Sequence, residues 1–196
     1  MSAPTPERQD HIFAFFKGFL DEPKQVGSII PSSRFLEKRL VKIAELEQAD
    51  VAIELGPGTG GTTRAFLSRM KPTARLLAIE INPKFARLLR TTIRDPRLIV
   101  HEGSAAEIGE ALRSHDLPPA DVVLSGIPFS TMGKELGLSI LRSVDANLSP
   151  TGRFVAYQFR DRVGDLGRQV MGAPSVQLEL LNVPPMRVYR WNKSSV

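Results

Sequence analysis

Hydrophobic and polar positions alternate along this chain with two different periods, and the change falls near Asp50. Before it, the apolar positions have helical spacing. Ile12, Phe15, Phe16, Phe19 and Leu20 stand at i, i+3, i+4, i+7 and i+8 of one helical face, which Phe13 widens. Pro23 should stop that helix. Residues 27–33 read as a loop stiffened by Pro31. Ser32 or Ser33 then offers an N-cap for a second helix reaching about Gln48. The polar, proline-containing residues 1–9 read as a disordered lead.

After Asp50, short apolar runs alternate with helical patterns. The runs predict strands at 51–55, 75–81, 98–101, 121–124 and 153–159. Helices are expected at 62–70, 83–94, 105–114 and 131–147, with Pro83 in first-turn position. Two final runs, 176–182 and 187–192, are joined by Pro184–Pro185 and read as an antiparallel hairpin. The expected fold is α/β: a doubly wound, mostly parallel seven-stranded sheet ending in that hairpin. The chain is expected to divide into an N-terminal helical extension, residues 1–48, and an α/β domain, residues 49–196.

Composition narrows the chemistry. The 196 residues contain no cysteine, which excludes a disulfide framework, a thiolate metal site and a cysteine nucleophile. The three histidines, His11, His101 and His115, show no metal-ligand spacing, so no metal is expected. No apolar stretch approaches the ~20 residues that span a bilayer, and no secretory signal is visible, so a cytoplasmic protein is expected. The net charge of +5 favours anionic partners in general.

The densest chemical signal is Glu54-Leu55-Gly56-Pro57-Gly58-Thr59-Gly60-Gly61, between the first expected strand and its helix. Glycines there allow a sharp turn and close approach of a ligand. Glu80 ends the next strand, where a carboxylate can accept hydrogen bonds from both hydroxyls of a ribose. Together these point to an adenosine-containing cofactor. Gly56, Gly58 and Gly61 also satisfy the dinucleotide pattern, so the glycines leave the cofactor open. Glu54 tips the choice. A carboxylate beside the loop repels a diphosphate and suits a cofactor carrying an ammonium and a sulfonium. A chain that closes on a hairpin is also expected to lack the separate substrate domain of most dehydrogenases.

With His101-Glu102-Gly103-Ser104-Ala105 after the third strand, the chain resembles the class I S-adenosylmethionine-dependent methyltransferases. The resemblance implies S-adenosyl-L-methionine as cofactor and S-adenosyl-L-homocysteine as product. It implies cofactor contacts from Glu54, Gly56, Gly58, Thr59, Gly60, Glu80, Ile81, Gly103, Ser104, Ala105 and Ser125. In many relatives an acidic residue stands where this chain has Ser104.

The flanks are more specific. Phe16-Lys17-Gly18-Phe19-Leu20 and Pro23-Lys24-Gln25-Val26-Gly27-Ser28-Ile29-Ile30-Pro31-Ser32-Ser33 resemble the leader of the small bacterial phospholipid N-methyltransferases. So do Ser125-Gly126-Ile127-Pro128-Phe129 after the fourth strand and the Asn182-Val183-Pro184-Pro185 turn. This likeness implies methylation of phosphatidylethanolamine towards phosphatidylcholine by a protein bound peripherally to the inner face of the cytoplasmic membrane. A more distant similarity joins the chain to the rRNA adenine dimethyltransferases, which carry Asn-Leu-Pro-Tyr at the fourth strand. Ser125 and Phe129 replace the amide and the tyrosine, which speaks against nucleic acid as acceptor. A base methyltransferase is nevertheless the alternative enzyme. A cofactor-binding lipid sensor without turnover is the alternative outside enzymology.

Around the acceptor, the residues carry roles and structural alternatives together. Tyr157 is the candidate catalytic group, able to accept a hydrogen bond or relay a proton, or simply a packed aromatic. Phe129, Tyr157 and Trp191 are candidate ring walls for a methylated ammonium, a cation–π contact of roughly 0.5–2 kcal/mol, or core rings. Arg187, Arg34 and Lys24 are candidate partners for a lipid phosphate, or solvated surface charges. Four of the ten phenylalanines lie in residues 11–20. Phe15, Phe16 and Phe19 are therefore expected to meet an anionic membrane surface, unless the stripe simply packs on the core.

Overall fold

The computed structural model describes residues 33–193, and everything structural below refers to these. Contacts divide the chain into two units, Met1–Pro31 and Ser32–Val196, and only the second is described. The second helix expected within the N-terminal extension packs with the α/β unit. The reason is burial: Leu36, Leu40, Ile43 and Ala44 of α1 (Arg34–Ala44) sit in the same core as Phe66, Leu76 and Val155.

The chain then alternates as expected. β1 (Val51–Leu55), α2 (Gly61–Leu67), β2 (Arg75–Glu80), α3 (Pro83–Thr92) and β3 (Leu98–Glu102) come first. A 3-10 turn at Ala105–Glu107 leads into α4 (Ile108–Ser114) and β4 (Ala120–Ser125). A second 3-10 turn, Phe129–Thr131, precedes α5 (Lys134–Asn147) and β5 (Leu148–Gln158). α6 (Arg162–Met171), β6 (Ser175–Glu179) and β7 (Met186–Asn192) complete the unit.

Seven strands form one sheet in the order β3-β2-β1-β4-β5-β7-β6. β1 to β5 are parallel, β7 runs antiparallel to β5, and β6 pairs antiparallel with β7. Successive side chains leave opposite faces of a strand. Ala52, Leu76, Leu124, Val155 and Val188 accordingly meet α1 and α2 on one face. The register partners Ile53, Leu77, Val123, Phe154 and Trp191 are buried on the other.

Two departures from the expected elements have clear causes. α1 ends at Ala44, short of Gln48, because Glu45 turns left-handed at φ 49° without a glycine to announce it. The helix end is capped from the sheet. Arg153 Nε donates to Ala44 O at 2.6 Å, Arg153 Nη2 to Glu45 O at 3.1 Å, and Arg190 Nη1 to Ile43 O at 2.9 Å. The second departure is α6, for which the pattern gave no expectation. Gly164 and Gly167 dilute its apolar stripe, yet both are buried against the sheet. A Cβ at Gly167 would stand 2.9 Å from Trp191 Cε2, so glycine is what lets the helix lie on that ring.

Candidate active site

The strand order reverses between β1 and β4, and the loops leaving the carboxyl ends of these strands form the crevice where open α/β sheets bind ligands. Three glycines stand one residue beyond β1, β3 and β4, and each extends the ladder across this edge. Gly56 N–H donates to Ile79 O (3.0 Å), Gly103 N–H to Glu80 O (3.1 Å) and Gly126 N–H to Leu55 O (3.2 Å). The loops meet closely: a Cβ at Gly56 would come 3.1 Å from Ile127 Cγ1. Gly56, Gly58 and Gly60 take φ values of 71°, 56° and 83°, conformations that favour glycine.

The glycines differ in what they face. A Cβ at Gly58 would meet nothing within 4 Å, so the loop is open there. One at Gly60 would lie 2.7 Å from Leu89 and 2.9 Å from Ile93, so that glycine is also demanded by packing. Gly103 is overlain by the His101 ring, whose Nε2 would be 2.7 Å from an added Cβ. His101 Nδ1 lies 3.2 Å from His115 Nε2, and burial, then His115, pushes its pKa down.

Two buried carboxylates frame the loop. Glu54 accepts hydrogen bonds from Thr62 Oγ1 (2.5 Å) and Thr63 Oγ1 (2.6 Å), both in the first turn of α2. Burial outweighs these bonds and raises its pKa to about 7, with the nearby Glu80 charge adding to the rise. Glu80 Oε2 accepts from Gly58 N–H (3.0 Å) and Oε1 from Asn82 N–H (2.9 Å), while burial raises its pKa. Thus Glu54 holds the first turn of α2 immediately after the loop, and Glu80 reaches the open glycine itself. Thr59 is exposed and Ile81 is half-buried beside Glu80. Ser104 Oγ accepts from Ala106 N–H, capping the turn that contains Ala105. On the other side of the loop, Arg64 donates to Gly60 O at 3.1 Å and to Thr92 O, which ties the loop's carbonyls to α3.

The turn after β4 is clamped. Buried Ser125 accepts from Ile127 N–H (3.3 Å) through its hydroxyl, and Gln158 Nε2 donates to Ile127 O (2.6 Å). The Tyr157 ring lies directly over Gly126, where a Cβ would stand 2.9 Å from Cζ and closer still to the hydroxyl oxygen. The structure thereby brings together the β4 turn and the aromatic hydroxyl that the sequence left unconnected.

The other expected acceptor residues divide between enclosed rings and exposed cations. Trp191 is 2% exposed, stacks on Phe154 and Tyr189, and donates through Nε1 to Gly172 O. Phe129 is fully buried. Both are core rings, so they do not wall an acceptor site: α6 covers the first, and the 3-10 turn tucks the second inward. Arg187 is exposed and donates to Phe159 O at 2.9 Å. Arg34 is exposed at the first residue of α1. It also lines a groove of about 500 Å³ with Glu37, Lys38, Ala65 and Ser68, which involves no residue of the glycine loop. Phe15, Phe16, Phe19 and Lys24 lie outside the described residues.

The residues fit an adenosylated sulfonium. The loop is open at Gly58, a buried acceptor faces it, and a second acid lies beneath it. Comparison with known proteins agrees. A family model for ribosomal RNA adenine dimethylase matches residues 22–107. An ornithine lipid N-methyltransferase of Singulisphaera acidiphila is 34% identical over 143 residues, covering 72% of this chain and 74% of its own length. The chain belongs to the same family of class I S-adenosylmethionine-dependent methyltransferases. Its cofactor is S-adenosylmethionine. Ribosomal RNA small subunit methyltransferase A of Thermotoga neapolitana is 31% identical over 110 residues, spanning 56% of this chain and 39% of that enzyme. A Burkholderia thailandensis N1-methyltransferase solved with S-adenosylhomocysteine shares the fold, with a TM-score of 0.68 at 17% identity over 99% of this chain and 93% of that one.

Proposed function

We propose that this methyltransferase acts on the amine of a membrane lipid, phosphatidylethanolamine and its methylated forms, at the inner face of the cytoplasmic membrane. The observation that carries this reading is the 34% identity to a lipid N-methyltransferase across 74% of that enzyme's length. Among the described residues no helix is long and apolar enough to cross a membrane, which is compatible with an enzyme that meets its substrate peripherally at the lipid surface.

The bound cofactor supplies an electrophilic methyl group on a sulfonium. Glu80 would hold the ribose through its carboxylate, and Gly56, Gly58, Thr59 and Gly60 would hold the amino-acid portion. Gly103, Ser104 and Ala105 would contact the adenine, and Ile81 and Ser125 are further cofactor-binding positions. Glu54 keeps the loop in place through Thr62 and Thr63 and adds negative potential beneath a cation. Tyr157, fixed over Gly126, accepts a hydrogen bond from the lipid amine and passes its proton towards water, so that the nitrogen lone pair is free and aligned. Arg187 or Arg34 pairs with the lipid phosphate.

The match to the ribosomal RNA adenine dimethylase model motivates a second reading, a base methyltransferase. That match covers residues 22–107 and ends before the β4 turn, on the cofactor side of the sheet. In the turn itself, Phe129 is buried and offers no ring to a base.

Vesicles of phosphatidylethanolamine incubated with the protein and methyl-labelled cofactor test the reading. Label should enter phosphatidylethanolamine, with the products resolved as mono-, di- and trimethylated lipid. Label in ribosomal RNA and none in phosphatidylethanolamine or ornithine lipid would overturn it.

A further inference from the structure

β7 runs antiparallel to β5, with Arg187 opposite Gln158 and Val188 opposite Tyr157. The tip joining β6 to β7 is therefore at the edge of the sheet that carries Tyr157, the glycine loop and the β4 turn. This tip is built inside out. Its polar side chains point inward: Glu179 and Asn182 are each 3% exposed. Glu179 receives Arg39 Nε (2.6 Å) and Leu181 N–H (2.9 Å). Asn182 accepts from Ser33 N–H and donates to Pro184 O, both at 2.9 Å. Its apolar side chains point outward: Leu180, Leu181 and Val183 are 67%, 62% and 81% exposed.

The apolar surface continues beyond the tip. Leu178, Phe159 and Val176 are exposed as well, and Leu178 is the cross-strand partner of Arg187. An outward turn of leucine and valine, braced from within by part-buried polar bonds, costs hydration free energy in water. Exposed cations flank it: Arg187 and Arg160 beside Phe159, and Arg34 one residue beyond the Ser33 contact. Apolar side chains that can enter acyl chains, ringed by cations at headgroup level, complement an anionic bilayer.

We propose that the β6–β7 tip is a membrane-docking element: Leu180, Leu181 and Val183 insert into the lipid surface while Arg34, Arg160 and Arg187 meet its anionic headgroups. Docking at this edge brings a headgroup amine to Tyr157 without extracting the lipid. The proposal rests on the lipid reading above and adds the surface that recognises the bilayer.

The full-length protein and the triple variant Leu180→Ser, Leu181→Ser, Val183→Ser are compared by co-sedimentation with vesicles of phosphatidylethanolamine and phosphatidylglycerol. Adenosylhomocysteine binding reports that the variant remains folded. The variant should bind vesicles roughly ten-fold or more weakly. It should still methylate dihexanoyl phosphatidylethanolamine below its micelle concentration, where no surface is needed. Leu88→Ser, an exposed apolar position on α3, should bind vesicles as the wild type does. A Leu180→Trp variant provides a second readout, with a blue shift of its emission on adding vesicles. Unchanged vesicle binding by the triple variant, or no blue shift, overturns the docking proposal and leaves the lipid reading standing. Tip-dependent binding of RNA in place of vesicles also overturns it. Wild type that transfers no methyl to lipid in either presentation overturns the functional reading itself.

Discussion

Glu80 is the proposed ribose acceptor, and its carboxylate is buried and accepts a hydrogen bond from Gly58 N–H. Glu80→Ala should weaken adenosylhomocysteine binding about ten- to hundred-fold by calorimetry, the loss of two charge-assisted bonds. Unaltered affinity would remove Glu80 from the site. Gly126 makes a different demand. Gly126→Ala drives a Cβ into the Tyr157 ring, so kcat should fall while adenosylhomocysteine affinity is kept. A matching loss of both would mean the turn collapsed. Glu54 carries a pH signature. Its folded pKa of about 7 lies above the ordinary 4.5, so between these values the folded protein holds more protons than the unfolded chain. Its contribution is full below pH 4.5 and is lost as pH rises through about 7, a change of about 3 kcal/mol at most. Urea unfolding across that range should show the slope in the cofactor-free wild type and its reduction in Glu54→Gln. Parallel pH profiles for the two proteins would contradict this origin.

At the scale of elements, most strands and helices were legible because each announces itself within a few residues. The run 51–55 is wholly apolar apart from Glu54, and all five of its residues are buried. Pro83 starts α3, with Asn82 as its cap. The features that were not legible depend on residues distant in the chain. α6 looked irregular because Gly164 and Gly167 interrupt its pattern, and their purpose appears only when Tyr189 and Trp191 are beneath them. Gly167→Ala would gain about 1 kcal/mol of helix propensity but lose more to overpacking on the Trp191 ring. The thermal midpoint should drop, and a rise would show that α6 lies off the ring. The end of α1 was equally invisible, since Arg153 and Arg190 lie more than a hundred residues away from the carbonyls they satisfy.

For the molecule as a whole, the proposed lipid reading together with a net charge of +5 and the exposed arginines near the β6–β7 tip makes surface attraction part of the proposed activity. Methylation of vesicle-borne lipid should therefore fall as ionic strength rises from about 0.05 to about 0.5 M, while activity on monomeric short-chain lipid changes little. Equal salt dependence of both would place the electrostatics within the site. The sequence alone determined the α/β layering, the antiparallel hairpin and the cofactor class, because strand and helix periods and the glycine-and-carboxylate motif are local properties of the chain. Only the tertiary structure decided where the aromatic groups lie. Tyr157 covers Gly126 while Phe129 and Trp191 are enclosed by other elements. It also decided that the polar residues of the β6–β7 tip face inward and the apolar ones outward. Exposure and partnership are set by the packing of segments far apart in sequence, and no local pattern encodes them.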